Sequence, residues 1–165
     1  SAIDKGSTFT AAFRFRVQEW HVSARKQAEE GAAFRILLVE DNEINREIEM
    51  ELLGELGFEI DPAENGMIAL EKMRDSDPGY YDVVLMDLQM PVMDGWQASV
   101  AIRALPDKAK ARVPIIALSA NALERDLRKS RECGLDAHLR KPMDLALLLR
   151  TMEELTGRAW GPGEI

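Results

Sequence analysis

The chain has one cysteine, Cys133, in 165 residues, so it has no internal disulfide, and a reducing compartment fits. No apolar run approaches the length of a membrane span. No signal peptide is visible, because the N-terminus is polar and then alternates. Internal repeats and low-complexity tracts are also missing. Basic residues are the minority: 21 Lys and Arg against 29 Asp and Glu leave a net charge of -8. A nucleic-acid footprint needs clustered Lys and Arg, so that class of partner is not expected. The expected location is the cytoplasm, without direct membrane contact. The chain starts at Ser1 without an initiator Met, which reads as a fragment of a longer protein.

What is present suits one domain plus some extra chain, with 46% hydrophobic residues to build a core. The charge is uneven. Residues 1–34 carry five basic and four acidic groups, which leaves 16 basic and 25 acidic groups, or -9, for the remainder. Such an excess is either a solvated acidic surface or a set of acids converging on a cation.

From Arg35 onward, strand and helix patterns alternate. Ile36 to Val39 is a continuous apolar run, as in a buried parallel strand. Ile44, Ile48, Leu52 and Leu56 recur at helical spacing, and Gly57 stops that helix. Phe58 to Asp61 is a brief strand, and a helix follows over about Met67 to Arg74. Asp75-Ser76-Asp77-Pro78-Gly79 breaks it. Val83 to Met86 is a strong strand. Trp96, Val100 and Arg103 share one side of the next helix, which Leu105-Pro106 ends. Pro114 opens the run Ile115 to Leu118. Asn121 to Cys133 is helical, Gly134 caps it, and Ala137 to Leu139 is a fifth strand. Leu145, Leu148, Leu149, Met152 and Leu155 mark a last amphipathic helix. Five strands alternating with five helices predict an α/β fold, a parallel sheet covered on both faces. Right-handed crossovers leave few topologies, and the common strand order among them, 2-1-3-4-5, places a site at the switch point beside strands 1 and 3.

The chemistry-bearing residues end those runs. Glu40-Asp41 follows the first and Asp87 ends the third. Ser119 follows the fourth, and Lys141 stands before Pro142 after the fifth. Three carboxylates at one sheet edge raise one another's pKa unless a cation compensates. Mg2+ is the natural partner, because it takes a few carboxylates, keeps waters and accepts phosphate oxygens. Asp87 is the candidate nucleophile, since a carboxylate can form an aspartyl phosphate. Lys141 would neutralise charge as a compact ammonium, and Ser119 could hydrogen-bond a phosphoryl oxygen.

Four ordered motifs carry a resemblance. They are Val39-Glu40-Asp41-Asn42, Met86-Asp87-Leu88-Gln89-Met90-Pro91-Val92-Met93-Asp94-Gly95, Ala117-Leu118-Ser119-Ala120 and Lys141-Pro142. Together they resemble the receiver domain of two-component response regulators over about residues 35–157. The resemblance implies a doubly wound, five-stranded, flavodoxin-like fold. It implies transfer of a phosphoryl group from phosphohistidine to Asp87, in a phosphorelay. Glu40, Asp41, Asp87 and the backbone carbonyl of Gln89 would hold Mg2+. Ser119 and Lys141 would contact the phosphoryl group, and the Lys141–Pro142 bond would be cis. The resemblance implies output through a shift of the face around the fourth helix and the fifth strand. Where the family often has Tyr or Phe, this chain has His138, either a two-position ring that switches with Ser119 or an ordinary histidine. Gln89 and Asn121 fall at positions that tune phosphoryl lifetime.

Residues 1–34 stand apart. Asp4-Lys5-Gly6-Ser7-Thr8-Phe9-Thr10 and the alternating strand after it resemble the end of a histidine-kinase ATP-binding domain. That implies a kinase-domain remnant over 1–17, a linker over 18–34, the receiver over 35–157 and a tail over 158–165. The parent would be a hybrid sensor histidine kinase, of a class compatible with a membrane anchor, and the fragment alone would not be an enzyme. Expected partners are the kinase's phosphohistidine domain and a histidine phosphotransfer domain. The strand with Phe9, Phe13, Phe15 and Val17 on one face needs pairing, for instance in a homodimer. Two other readings are an aspartate-nucleophile phosphohydrolase and a binding-only degenerate receiver. The first wants a second acid two residues after Asp87, where Gln89 stands. The second predicts damage to the acidic site.

Overall fold

The apolar runs and the brief segment after Phe58 become strands in the computed structural model, which describes residues 33–121 and 124–158. They are β1 (Arg35–Val39), β2 (Glu59–Ala63), β3 (Val83–Asp87), β4 (Ile115–Ser119) and β5 (Ala137–Arg140). All pair in parallel, in the order β2-β1-β3-β4-β5, the common one among the few topologies that the alternation leaves. Every residue of β3 and β4 is buried, because crossover helices cover both faces of the sheet.

The helices are α1 (Glu43–Glu55), α2 (Gly66–Asp75), α3 (Gly95–Arg103), α4 (Lys108–Ala111), α5 (Glu124–Glu132) and α6 (Leu145–Thr156). Asn42, Asn65, Asp94, Asp107 and Asp144 start five of them, each side chain accepting from a backbone N–H three residues on. Such a cap contributes about 1 kcal/mol. Alternate strand residues feed two cores. Ile36, Leu38, Leu85 and Leu118 pack with Leu53 of α1, with Leu56 that caps its C-terminal end, and with Leu148 and Met152 of α6. Leu37, Val84, Met86 and Ala117 pack with Met73 of α2 and Ala98 and Ile102 of α3 on the other face.

Three expectations need correction or limits. The pattern predicted five helices, and the described residues contain six. The extra one is the single turn α4, started by the Asp107 cap after Pro106. The set Ile44, Ile48, Leu52 and Leu56 marks a helix, but of the four only Leu56 is buried. α1 buries Glu49 and Leu53, while Ile44, Ile48 and Leu52 are 69%, 51% and 37% exposed. Likewise α3 buries Ala98, Ser99 and Ile102 and leaves Val100 exposed. The strand over 1–17, the linker over 18–34 apart from its last two residues, and the tail after Arg158 lie outside the described residues. No helix among the described residues is long and apolar enough to cross a membrane.

Candidate functional site

Parallel strands deliver their C-terminal ends to one edge of the sheet. The chain leaves β1 into α1 on one face and leaves β3 toward α3 on the other, so a crevice opens between them. Glu40 and Asp87, buried at 1% and 7% exposure, and the exposed Asp41 meet there. One oxygen from each lies within 4.8 Å of the others.

Backbone and side-chain donors hold the two buried acids. Glu40 Oε1 accepts from the Asn42 N–H at 3.1 Å, and its carbonyl accepts from Arg46 Nη1 at 2.9 Å. Asp87 Oδ1 accepts from the Gln89 N–H at 3.2 Å. The Lys141 ammonium donates to Glu40 Oε2 and lies 3.4 Å from Asp87 Oδ2, so one cation spans two carboxylates. Burial pushes Asp87 up to about 6, with Lys141 and the Gln89 N–H opposing and Glu40 reinforcing. Burial works against charge on Lys141, but the Glu40 bond and the Asp87 charge hold its pKa above the ordinary value. Three carboxylates facing one ammonium leave excess negative charge and an all-oxygen donor set. That fits a hard divalent cation.

The loop after Asp87 is shaped by contact with the strand end. A Cβ on Gly95 would lie 2.3 Å from the Asp87 carbonyl oxygen, so only glycine allows this approach. Asp94 caps α3 and forms a reciprocal pair with Gln97, which accounts for its acidity without a ligand role.

Ser119 is 7% exposed at the end of β4. Its hydroxyl donates to the Asn121 carbonyl at 2.7 Å and lies 2.5 Å from His138 Nε2. Lys141 N–H donates to the Ser119 carbonyl at 2.8 Å, and the Lys141–Pro142 bond is cis. Gln89 and Asn121 have exposed side chains at the rim. All residues singled out from the sequence therefore gather at one edge, with His138 reached through Ser119.

Sequence reasoning missed three participants. Arg46 anchors the Glu40 carbonyl. Ser130 meets His138 from α5. Glu49 is buried at 7% exposure beside the site, and its Oε2 has no hydrogen-bond partner among the described residues. Its spacing to Leu53 and Leu56 was the available signal, since those three share the true buried face.

This sheet order, with its acidic edge, defines a doubly wound α/β domain of the receiver type. The family model described as the response regulator receiver domain matches residues 36–153, and the chain belongs to that family. It is 39% identical over 115 residues to the peroxide stress-activated histidine kinase mak1 of Schizosaccharomyces pombe, covering 69% of this chain and 7% of that protein. It is 38% identical over 120 residues to probable histidine kinase 2 of Oryza sativa, covering 66% of this chain and 12% of that one. The chain thus spans a small part of these relatives. Among solved structures, the receiver domain of sensor histidine kinase PA1611 from Pseudomonas aeruginosa, with a magnesium ion in its active-site cleft, matches at TM-score 0.68 and 37% identity. That match covers 77% of this chain and 100% of that one. The receiver domain of the histidine kinase CKI1 from Arabidopsis thaliana, complexed with Mg2+ and BeF3-, matches at TM-score 0.66 and 31% identity, covering 73% and 90%.

Proposed function

We propose that Asp87 is the phosphoacceptor of a two-component phosphorelay, receiving a phosphoryl group from phosphohistidine and passing it on or switching a partner surface. One observation carries this reading: Glu40, Asp41 and Asp87 converge within 4.8 Å, with Lys141 spanning the two buried acids. In the transfer an Asp87 carboxylate oxygen forms a bond to phosphorus as the phosphorus–nitrogen bond to the donor imidazole breaks. Glu40, Asp41, Asp87 and the Gln89 carbonyl would hold Mg2+, which supplies charge neutralisation for phosphoryl oxygens. Lys141 stabilises the same oxygens as a fixed cation, and Ser119 donates its hydroxyl to one of them. Gln89 and Asn121 are exposed at the rim, and their side-chain amides would orient water near the phosphoryl group and so tune its lifetime.

The docking partner is read from α1. Ile44, Ile48 and Leu52 form an exposed apolar row beside the site. Ile48 and Leu52 border a groove of about 450 Å³ with Pro142 and Met143. An apolar row flanking an acidic centre suits the helical phosphohistidine domain of a kinase or a histidine phosphotransfer domain. The parent is a hybrid sensor histidine kinase acting at the cytoplasmic side. Residues 1–17 are the end of its ATP-binding domain, 18–34 a linker and 35–157 the receiver. The likeness to receiver regions of larger histidine kinases supports this.

The test is intact mass after incubation with acetyl phosphate and Mg2+, with Asp87→Asn and metal-free controls. One added phosphoryl group, absent in both controls, is expected. No addition, together with no Mg2+-dependent binding of beryllofluoride, would refute the reading.

A further inference from the structure

His138 sits between two serines from different elements. Its Nε2 lies 2.5 Å from Ser119 Oγ, and its Nδ1 lies 3.0 Å from Ser130 Oγ. Ser119 ends β4 at the site, while Ser130 is 4% exposed on α5. Each hydroxyl has one proton. Ser119 directs its proton to the Asn121 carbonyl at 2.7 Å, and Ser130 directs its own to the Asp126 carbonyl at 2.8 Å. Both serines then face the ring with lone pairs only, and both ring nitrogens must donate. That is the imidazolium. A neutral ring has a single N–H, so one serine must turn its proton from its carbonyl to the ring. The proton count on His138 and the direction of the serine hydroxyls are therefore tied together.

We propose that Ser130 and His138 are positioning residues for Ser119, forming a proton-linked relay between α5 and the phosphoryl site. In the cationic ring, Nε2–H holds Ser119 Oγ as an acceptor and leaves the hydroxyl proton for a phosphoryl oxygen. In the neutral ring with its proton on Nδ1, the bare Nε2 competes for that same hydroxyl proton. A phosphoryl group on Asp87 therefore favours the cation twice, by proton count and by added negative charge. Linkage makes the effect reciprocal: the protonated ring favours the occupied site by the same factor.

The charges around the ring leave room for such a shift. Burial holds His138 below its ordinary pKa, and Asp126 of α5 opposes this. Lys129 of α5 lies 4.6 Å above the Trp96 ring, and Trp96 of α3 meets the His138 ring edge-on at 6.4 Å. Lys141 and Asp87 lie beyond Ser119, at the site itself.

The proposal rests on Asp87 as phosphoacceptor, and the test separates the two. Imidazole 15N NMR follows His138 across pH in the wild type, Ser130→Ala and Ser119→Ala, each with and without Mg2+ and beryllofluoride. The other histidine, His21, is replaced by His21→Gln so that one ring reports. Alanine suits a helix, so Ser130→Ala should stay folded. In the unliganded protein, Ser130→Ala should lower the His138 pKa by at least about half a unit, a threefold change in proton affinity. Beryllofluoride should raise it by at least as much in the wild type and less in Ser119→Ala. An unmoved His138 in Ser130→Ala overturns the relay, as does a formed adduct that leaves His138 unshifted. Absence of the adduct overturns the phosphoacceptor reading and the coupling with it.

Discussion

Glu49→Gln should stabilise this protein, and the gain should depend on pH. Glu49 lies on the buried face of α1 at 7% exposure, with Oε2 lacking a hydrogen-bond partner among the described residues. Burial, with Glu40 and Asp87 adding repulsion against the attraction of Lys141, pushes its carboxyl from the ordinary 4.5 up to about 7. A carboxyl with a raised folded pKa takes up protons on folding. Its contribution is most favourable below the unfolded value and is lost as pH rises through about 7. The gap between 4.5 and about 7, at about 1.4 kcal/mol per unit, sets a ceiling of about 3 kcal/mol. Glutamine resembles the protonated form. Urea unfolding of the metal-free protein should therefore show Gln and wild type close at pH 4.5, and Gln more stable at pH 8 by up to about 3 kcal/mol, roughly 10 °C in Tm. Mg2+ should shrink the gain, because a cation among Glu40, Asp41 and Asp87 also favours ionised Glu49. A pH-independent difference, or a Gln variant less stable at pH 8, would refute the account of Glu49 as a strained buried acid.

Other outcomes follow from the same geometry. Asp87→Asn should abolish phosphorylation, yet leave metal-free thermal stability at pH 8 unchanged or higher, because it removes a carboxylate pushed up to about 6; a large loss of Tm would contradict this. Gly95→Ala should cost about 2 kcal/mol or more, since its Cβ would lie 2.3 Å from the Asp87 carbonyl oxygen, and denaturant midpoints will show it. Ile48→Glu should slow phosphotransfer from a phosphohistidine domain by about tenfold or more while sparing labelling by acetyl phosphate. Equal slowing with both donors would place the fault in the site rather than in docking.

Much of the site is legible because of one topological rule. Glu40-Asp41, Asp87, Ser119 and Lys141 each end an apolar run, and parallel strands force run ends to a common edge. The α/β alternation then suffices to bring Lys141 to Glu40 across 101 positions of sequence. The faces of α1 were not legible. Ile44, Ile48, Leu52 and Leu56 recur at helical spacing, yet only Leu56 of the four is buried, because periodicity does not say which of two stripes meets the sheet. Leu53 and Leu56 win because they face Ile36 and Leu38, which leaves Ile48 and Leu52 free for a partner and traps Glu49 inside.

The sequence by itself determined the α/β alternation, the edge where chemistry gathers and the oxygen-rich donor set, since these follow from run length, polarity and parallel pairing, while the handedness of crossovers narrowed the strand order to a few choices. Only the tertiary structure decided which oxygens Lys141 spans, that Gly95 must approach the Asp87 carbonyl, and that His138 joins Ser119 to Ser130. Those pairings depend on rotamers and on packing between distant elements to within a hydrogen-bond length, and a one-dimensional pattern does not encode such distances.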